Sequence, residues 1–325
     1  MNAILVSGHK TVPEIRTVAL PSPGAGQVRI RIEACGLNFA DLLMIEGTYQ
    51  DTPAPPFILG MELSGTVEAL GPGVTGPTPG SRVAVMAGQG GLAEYGCFDA
   101  SSCLPLPDAM SFEEAAGFQI AYGTSHLALS RRAALQAGET LLVLGAAGGV
   151  GLTAVEIGAI MGARVIAVAR GAEKLGAAER AGAHHLLDSD DPDLVQKLRD
   201  LGGADVVYDP VGGEGFATAL RATRPEGRIL VIGFASGSLP KIPANHLLVK
   251  NVSVLGFYWG GYMRFRPDAL RDSLAELLDW YARGRLRPHL SHVLPLDRTV
   301  EGLTLLRERK STGKVVIRTR AAPVS

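Results

Sequence analysis

A glycine-rich turn in the middle of the chain carries the residue types that most directly predict chemistry. Residues 141–151 read LLVLGAAGGVG, and apolar residues at helical spacing follow them. Such a turn brings backbone N–H groups close to a pyrophosphate at a helix N-terminus, where negative charge is favoured. Ala147 replaces the second glycine of the usual G-x-G-x-x-G spacing, but a second β-rich run, 165–168, follows at the distance of a βαβ unit. We therefore predict a dinucleotide site; the alternative is a plain strand-to-helix connection. The site would comprise Gly145, Ala146, Ala147, Gly148, Gly149, Val150 and Gly151.

The residues after the second of these strands indicate which dinucleotide binds. An Asp or Glu at this place would hydrogen-bond the 2′-hydroxyl of NAD. The sequence instead has Ala169, Arg170 and Gly171, with Lys174 beyond them. A guanidinium can bind the 2′-phosphate of NADP through two hydrogen bonds, and a lysine adds a point charge. We therefore expect NADPH rather than NADH; the alternative is that Arg170 is a solvated residue at a strand end.

Length, composition and charge narrow the class of protein. A chain of 325 residues with 46% hydrophobic residues exceeds the roughly 150 residues of one domain, so we expect two domains. The formal net charge of −1 gives no basic field for nucleic acid. The uncharged run at 141–155 is interrupted by Glu156 and is shorter than the ~20 residues of a membrane span. Without a leader pattern or a disulfide framework among the three cysteines, we expect a cytoplasmic protein.

The patterns of strands and helices divide the chain. In the first third, strand patterns at 28–32, 65–70 and 82–86 alternate with Pro and Gly clusters, which is typical of a β-barrel or a partly open sheet. From residue 141 strands and helices alternate, and this predicts a parallel sheet with helices on both faces. The further predicted elements are strands at 185–187, 205–208, 228–232 and 252–255, a helix at 267–282, a short strand around Val293, a helix through Leu306 and a terminal strand at 314–317.

Four segments in this order resemble a known family: residues 35–41 (CGLNFAD), 60–62 (GME), 146–151 (AAGGVG) and 313–316 (GKVV). They resemble the medium-chain dehydrogenase/reductase superfamily, and within it the zinc-free quinone oxidoreductase (zeta-crystallin) family. The run GLNFADLL is also similar to the vesicle amine transport protein branch. The resemblance implies an α/β protein with a GroES-like β-rich catalytic domain, 1–118 and 258–325. It also implies a Rossmann doubly wound parallel-sheet NADP-binding domain, 119–257, and a homodimer.

Two positions separate this chain from zinc-dependent relatives. In the zinc enzymes a cysteine ligand takes the place of Asn38, and a histidine ligand takes the place of Met61. A carboxamide and a thioether are poor replacements for thiolate and imidazole on Zn²⁺. The sequence also lacks any Cys-x-x-Cys spacing. We expect no metal, and we expect the cysteines to be small buried residues. They are Cys35, Cys97 and Cys103.

Without zinc to polarise an alcohol, the fold can donate hydride from NADPH to an acceptor that is already electrophilic, such as a quinone or an α,β-unsaturated carbonyl. By the resemblance, Asn38 and Asp41 lie near the nicotinamide, and Thr124 lies beside the cofactor. Tyr49 is the candidate group to hydrogen-bond the developing oxyanion of the acceptor. A packing role for Tyr49 and a helix-capping role for Asp41 remain open.

The resemblance implies further cofactor contacts at strand ends and near the C-terminus. Ser189 stands where many relatives carry a tyrosine near the phosphate, and Arg309 and Lys314 are candidates for the 2′-phosphate. The aromatic residues around 257–262 either pack together or form an apolar wall for a flat acceptor. The remaining expected contacts are Gly233, Phe234, Ser236, Phe257 and Tyr258.

The sequence therefore predicts an NADPH-dependent, zinc-independent oxidoreductase that acts on a small quinone or enone. Two alternatives stay open. An enoyl-thioester reductase would share the fold but need a basic entrance, for which Arg264 and Arg266 are candidates. An NADPH-binding protein with little turnover is the second.

Overall fold

The computed structural model describes residues 1–320, which form two compact units. The first unit comprises Met1–Ile120 and the described residues from Pro288 onward, and the second comprises Ala121–Arg287. The sequence-based boundaries place 258–287 with the chain ends, whereas the contacts place them in the second unit. There Tyr262 packs on Phe257 and Ser273 hydrogen-bonds His126.

The elements follow one another along the chain in this order. The amino-terminal part contains β1 (Asn2–Val6), β2 (Glu14–Thr17), β3 (Gln27–Leu37), α1 (Phe39–Glu46), β4 (Phe57–Ile58), β5 (Glu62–Leu70), β6 (Arg82–Met86), β7 (Tyr95–Asp99), β8 (Cys103–Pro105) and α2 (Phe112–Ala116). The middle contains α3 (Gln119–Leu127), β9 (Thr140–Leu144), α4 (Gly149–Ile160), β10 (Arg164–Ala169), α5 (Ala172–Arg180), β11 (His185–Asp188), α6 (Leu194–Asp200), β12 (Ala204–Asp209), α7 (Gly213–Ala222), β13 (Thr223–Val231), α8 (Ala244–Lys250), β14 (Ser253–Gly256), α9 (Trp259–Phe265) and α10 (Pro267–Ala282). The last part contains β15 (Leu290–Pro295), α11 (Thr299–Arg307) and β16 (Lys314–Arg318).

The second unit contains the predicted parallel sheet. Its strand order is β11-β10-β9-β12-β13-β14, and the paired strands run parallel. This is the Rossmann order, and the connection after β9 lies at the point where the order reverses, which is where such sheets bind ligands. The expected α/β architecture is confirmed.

Burial on both faces explains why these strands could be recognised. The residues of β9 from Leu141 to Val143 are completely buried, and Leu142 and Leu144 share a core with Ile166, Val168 and Phe216. A strand covered on both faces appears in the sequence as a short continuous apolar run. Each such side chain contributes about 1.5–3 kcal/mol on burial.

The first unit is built on the long strand β3. The larger sheet has the order β15-β16-β3-β5-β6-β8, with β7 also paired to β3, and a smaller sheet has the order β2-β1-β4. The terminal strand β16 runs antiparallel to β3, with Ile317 opposite Cys35. The predicted return of the chain end to the first domain is therefore confirmed. Within residues 1–320, no helix has the length and apolar character needed to cross a membrane.

Candidate functional site

The glycine-rich turn lies in the second unit and joins β9 to α4. Gly148 caps the helix, and Gly145 has φ +56, a conformation that glycine adopts without strain. A Cβ atom on Gly151 would lie 2.2 Å from the carbonyl oxygen of Gly145, so only glycine fits there. The first N–H groups of a helix have no partner within the helix and carry positive partial charge. The turn therefore offers a close approach to a phosphate.

Two further loops of the second unit meet this turn. Val211, which follows β12, lies so close to Gly145 that a Cβ there would be 2.9 Å from its side chain. The loop after β13 is hydrogen-bonded to the same segment, since the N–H of Ser236 donates to the carbonyl of Val211 over 2.9 Å. A Cβ on Gly212 would lie 3.1 Å from Phe234. The predicted residues Gly233, Phe234 and Ser236 thus belong to a loop that packs beside the glycine-rich turn.

Asp209, for which the sequence predicts no role, organises these loops. Its Oδ1 accepts hydrogen bonds from the backbone N–H groups of Val211 (2.8 Å) and Gly212 (2.9 Å), and the residue is 1% exposed. Burial raises the pKa of this carboxyl, while the two N–H groups lower it. The sequence DPVGG at residues 209–213, in which Asp209 ends the strand, is a turn signal that could have revealed it.

At the end of β10, Arg170 meets a carboxylate that was not predicted. Its Nε lies 2.9 Å from Oδ2 of Asp190, and both side chains are exposed. Asp188 accepts hydrogen bonds from the N–H groups of Gly171 (3.0 Å) and Asp190 (2.9 Å). Ser189 lies between the two carboxylates. Lys174 is half-buried on α5. The two predicted cationic ligands of a 2′-phosphate are therefore four positions apart in the second unit, and Arg170 is paired with an acidic residue.

Thr124 is buried on α3, one residue from a close contact with α9. A Cβ on Gly123 would lie 2.6 Å from Nε1 of Trp259, so the indole packs directly on the helix backbone. This Nε1 is buried and has no hydrogen-bond partner among the described residues. Phe257 and Tyr262 contact each other with their ring centroids 5.5 Å apart. The sequence predicts that the aromatic residues around 257–262 either pack together or line an acceptor site. The contact between Phe257 and Tyr262 shows the packing.

In the first unit a buried polar cluster surrounds Asn38. The ammonium of Lys314 donates to the carbonyl of Leu37 (2.8 Å), to Oδ1 of Asn38 (2.7 Å) and to Oε1 of Glu62 (2.8 Å). Asn38 Nδ2 donates to Glu62 Oε1 (3.0 Å) and to the carbonyl of Gly36 (3.3 Å). Both N–H donors of the carboxamide are therefore used inside the protein, and its orientation is fixed.

This cluster gives Lys314 a role different from the predicted one. The prediction makes it a candidate for the 2′-phosphate, but its side chain is only 8% exposed and its three donors all bind partners within the first unit. The sequence predicts no role for its buried counter-ion Glu62, which is 252 positions away. Arg309 is exposed after α11 with φ +55.

Asp41 belongs to a helix cap. Its Oδ2 accepts the N–H of Asn38 over 2.7 Å, and the N–H of Asp41 donates to the carbonyl of Asn38, which caps α1. Its side chain is completely buried, and burial raises its pKa from 3.8 to about 7, although the Asn38 N–H and the Lys314 charge lower it. These contacts favour the capping role that the sequence left open.

Tyr49 follows α1 and is half-buried. Its ring packs against the core cluster that includes Leu42, Ile45 and Phe57, and its carbonyl accepts the hydroxyl of Thr52 over 2.6 Å. The packing role is thus present, and the role of the hydroxyl toward an acceptor stays a prediction.

The positions of the two zinc ligands in other enzymes are filled by side chains that the first unit already uses. Met61 is 7% exposed in the same core cluster as Cys35, and the carboxamide of Asn38 is hydrogen-bonded at both ends. Among residues 1–320, no three His, Cys, Asp or Glu side chains are grouped as a metal site would require. Cys35 is buried as predicted, and burial raises the pKa of its thiol, whereas Cys97 and Cys103 are half-buried.

Comparison with known proteins gives consistent matches along the chain. Residues 24–108 match the alcohol dehydrogenase GroES-like domain, and residues 149–280 match the family described as zinc-binding dehydrogenase. The quinone oxidoreductase-like protein 2 homolog of Nematostella vectensis is 41% identical over 303 residues, which cover 91% of this chain and 83% of that protein.

Two further similarities extend this picture. The human synaptic vesicle membrane protein VAT-1 homolog is 33% identical over 320 residues, covering 93% of this chain and 81% of that protein. The structure of the quinone oxidoreductase from Thermus thermophilus, solved also as its complex with NADPH, superposes with a TM-score of 0.86 at 34% identity. That match covers 98% of this chain and 100% of the other.

Proposed function

The chain belongs to the quinone oxidoreductase family of the medium-chain dehydrogenase/reductase superfamily, and from this we propose that it transfers hydride from NADPH to quinones or α,β-unsaturated carbonyls without zinc. The observation that supports the proposal most is the glycine-rich turn at the N-terminus of α4, which fits a dinucleotide in a chain with these relatives.

The residues of the second unit fit NADPH in their local geometry. Gly151 leaves room that any side chain would fill, because a Cβ there would lie 2.2 Å from the carbonyl oxygen of Gly145. The free N–H groups at the start of α4 would hold the pyrophosphate. Arg170 and Lys174 would bind the 2′-phosphate, and the loop that contains Ser236 would border the nicotinamide ribose.

When bound, NADPH supplies the hydride, so the protein has to orient an acceptor and stabilise the charge that develops on its oxygen. For that task Tyr49 would donate a hydrogen bond through its hydroxyl. Asp41 and Asn38 act less directly in this proposal: their capping contacts fix the start of α1, and the chain reaches Tyr49 just after the end of this helix. Tyr49 is therefore the proposed contact with the acceptor.

The side chains at the two positions where zinc enzymes carry metal ligands support hydride transfer without zinc. Neither the carboxamide of Asn38 nor the thioether of Met61 is a favourable zinc ligand. The zinc-binding dehydrogenase match spans residues 149–280 and includes neither of these positions. A quinone or enone is electrophilic without a Lewis acid, so these side chains suit that class of acceptor.

The test is the oxidation of NADPH by the purified, chelator-treated protein with an ortho-quinone. We expect turnover that needs the acceptor, survives chelation and is slower with NADH. Assays without acceptor and with added Zn²⁺ are the controls. Activity that appears only after Zn²⁺ is added would contradict the zinc-free proposal, and tight NADPH binding without turnover would indicate a binding protein.

One observation favours a second candidate, an enoyl-thioester reductase. Arg264 and Arg266 are both exposed at the end of α9, where they could attract the phosphates of a CoA or phosphopantetheine group. Faster turnover with crotonyl-CoA than with quinones, lost in an Arg264→Ala/Arg266→Ala variant, would establish this activity instead.

The proposal also includes that the chain forms a homodimer and is located in the cytoplasm. The outer strand β14 pairs with β13, and its other edge has no strand partner among the described residues. An open edge of this kind can pair with a second copy of the chain. The molar mass in solution, measured by light scattering, tests the dimer.

A further inference from the structure

The segment after β11 places negative charge where the proposed cofactor site needs positive charge. Residues 188–193 read DSDDPD, so four of six positions are aspartate. One of them, Asp190, contacts the guanidinium of Arg170: Nε lies 2.9 Å from Oδ2 and 3.2 Å from Oδ1. Both partners belong to the second unit, and both are exposed.

The backbone holds Asp190 in this position. Asp188 accepts the N–H of Asp190 through one carboxylate oxygen (2.9 Å) and the N–H of Gly171 through the other (3.0 Å). These two hydrogen bonds lower the pKa of Asp188 and link the residue after Arg170 to the residue that pairs with it. The two hydrogen bonds of Asp188 therefore hold the backbone of Asp190 close to the backbone next to Arg170.

This arrangement opposes the binding of a 2′-phosphate in two ways. Asp190 occupies the Nε position of Arg170, which is one of the donors a guanidinium uses for bidentate phosphate binding. Its carboxylate also repels a phosphate that approaches the same guanidinium. A nucleotide without the 2′-phosphate meets neither effect.

We propose that Asp190 is a specificity-determining residue, which weakens binding of the 2′-phosphate at Arg170 and so reduces the preference of this chain for NADPH over NADH. The proposal rests on the proposed function, since it assumes the adenine nucleotide site at the glycine-rich turn. It concerns how strongly the chain prefers NADPH to NADH: Arg170 and Lys174 attract the 2′-phosphate, and the charge of Asp190 partly cancels this attraction.

The test measures equilibrium binding by calorimetry to the full-length protein without NADPH. Adenosine 2′,5′-bisphosphate and adenosine 5′-monophosphate are the probes, because they differ only in the 2′-phosphate. We expect Asp190→Asn and Asp190→Ala to bind the bisphosphate about three- to tenfold more tightly than the wild type. Binding of the monophosphate should not change.

Asp193→Asn is the matched control, because Asp193 carries the same charge in the same segment, whereas the carboxylate that pairs with Arg170 is that of Asp190. Its effect on bisphosphate binding should stay below twofold. The gain in the Asp190 variants should also shrink in about 0.5 M salt, where charges are screened within a few ångströms.

The outcomes separate this inference from the proposed function. An unchanged affinity for the bisphosphate in the Asp190 variants, or an equal gain in Asp193→Asn, would overturn the role of Asp190. Weaker binding in Asp190→Ala would also overturn it, because Asp190 would then hold Arg170 in place for the phosphate. If the wild type binds neither nucleotide, the proposed cofactor site is wrong and the inference falls with it.

Discussion

At the scale of single residues, Lys314 and Glu62 form an ion pair that is almost completely removed from water. Their side chains are 8% and 0% exposed, and Nζ lies 2.8 Å from Oε1. A buried charge that loses its partner is far more costly than an exposed one, because neither water nor another group compensates it. Glu62 also accepts the N–H of Ile120 over 3.0 Å, so the pair supports several segments of the first unit.

We expect Lys314→Ala to lower the free energy of unfolding by about 3–5 kcal/mol, because Glu62 would remain buried without its counter-ion. Lys310→Ala is the control, since Lys310 pairs with Glu308 on the surface and such pairs contribute about 0–1 kcal/mol. Urea unfolding measures both. The double variant Lys314→Ala/Glu62→Gln should recover part of the loss; equal losses for the two lysines would contradict the buried pair.

Asp41 should make the stability depend on pH. Its pKa is raised from 3.8 to about 7, chiefly by burial, so the folded chain keeps a proton that the unfolded chain has released in this range. Since the folded state then binds more protons, the contribution of Asp41 is full below about pH 4 and is lost as the pH rises to about 7.

We expect Asp41→Asn, which retains an oxygen for the N–H of Asn38, to remove this dependence. Relative to the wild type, its free energy of unfolding should rise by roughly 2–3 kcal/mol between pH 5 and pH 8. Urea unfolding at the two pH values measures the difference. The exposed Asp108→Asn is the control, and parallel behaviour of all three proteins would show that Asp41 does not titrate in this range.

Tyr49→Phe separates the two roles of this tyrosine. The ring would still pack on the core, whereas the proposed hydrogen bond to the acceptor would be lost. We expect kcat with quinones and enones to fall by about 10²-fold at unchanged NADPH affinity. Unchanged turnover would leave only the packing role.

At the scale of elements, the turn between β9 and α4 depends on Gly151. An alanine there would place its Cβ 2.2 Å from the carbonyl oxygen of Gly145, so the helix start or the turn has to move. We expect Gly151→Ala to lower the free energy of unfolding by about 1–3 kcal/mol and to weaken NADPH binding. Gly148→Ala is the matched control for stability, because its Cβ would lie 3.4 Å from the nearest atom. Thermal unfolding compares them, and equal melting temperatures would show that the turn tolerates a side chain.

Five of the six parallel strands could be predicted to within one residue because their signal is local, whereas β13 begins at Thr223, five residues before the predicted start. Residues 141–144 and 165–168 form continuous apolar runs, and the structure extends them only slightly, to Thr140–Leu144 and Arg164–Ala169. The helix predicted at 267–282 is found with these bounds, starting at a proline that suits a first helical position.

The polar contacts of the site had no such local signal. Lys314 and Glu62 are 252 positions apart, and Arg170 and Asp190 are 20 apart on different connections, so only the folded sheets bring them together. A lysine beside a terminal strand has the same appearance in sequence whether it points to solvent or to a buried carboxylate. For this reason the sequence placed Lys314 among the candidates for the 2′-phosphate, whereas the structure pairs it with Glu62.

At the scale of the whole molecule, the two units differ in how the chain builds them. The first unit needs both chain ends, because β16 pairs with β3. The second unit is one continuous segment, Ala121–Arg287, and the strands of its sheet and its core belong to that segment. Glu156 on α4 accepts the hydroxyl of Tyr122 over 2.5 Å and the N–H of Arg287 over 2.6 Å, so both ends of the segment are attached to the same helix.

We therefore expect the fragment 121–287 to fold alone and to bind NADPH with an affinity within about tenfold of the full chain, but to reduce no acceptor. Its core is complete, and a segment of this size buries enough of its surface for independent stability. Circular dichroism, cooperative unfolding and the rise of the melting temperature with NADPH measure this. NADPH at a concentration of about 100 times its Kd should add about 2.7 kcal/mol to the free energy of unfolding. Glu156→Ala in the fragment should lower its stability by about 1–3 kcal/mol, because the ends lose their attachment, whereas the exposed Glu173→Ala should not. A fragment that unfolds without cooperativity would show that the second unit depends on the first.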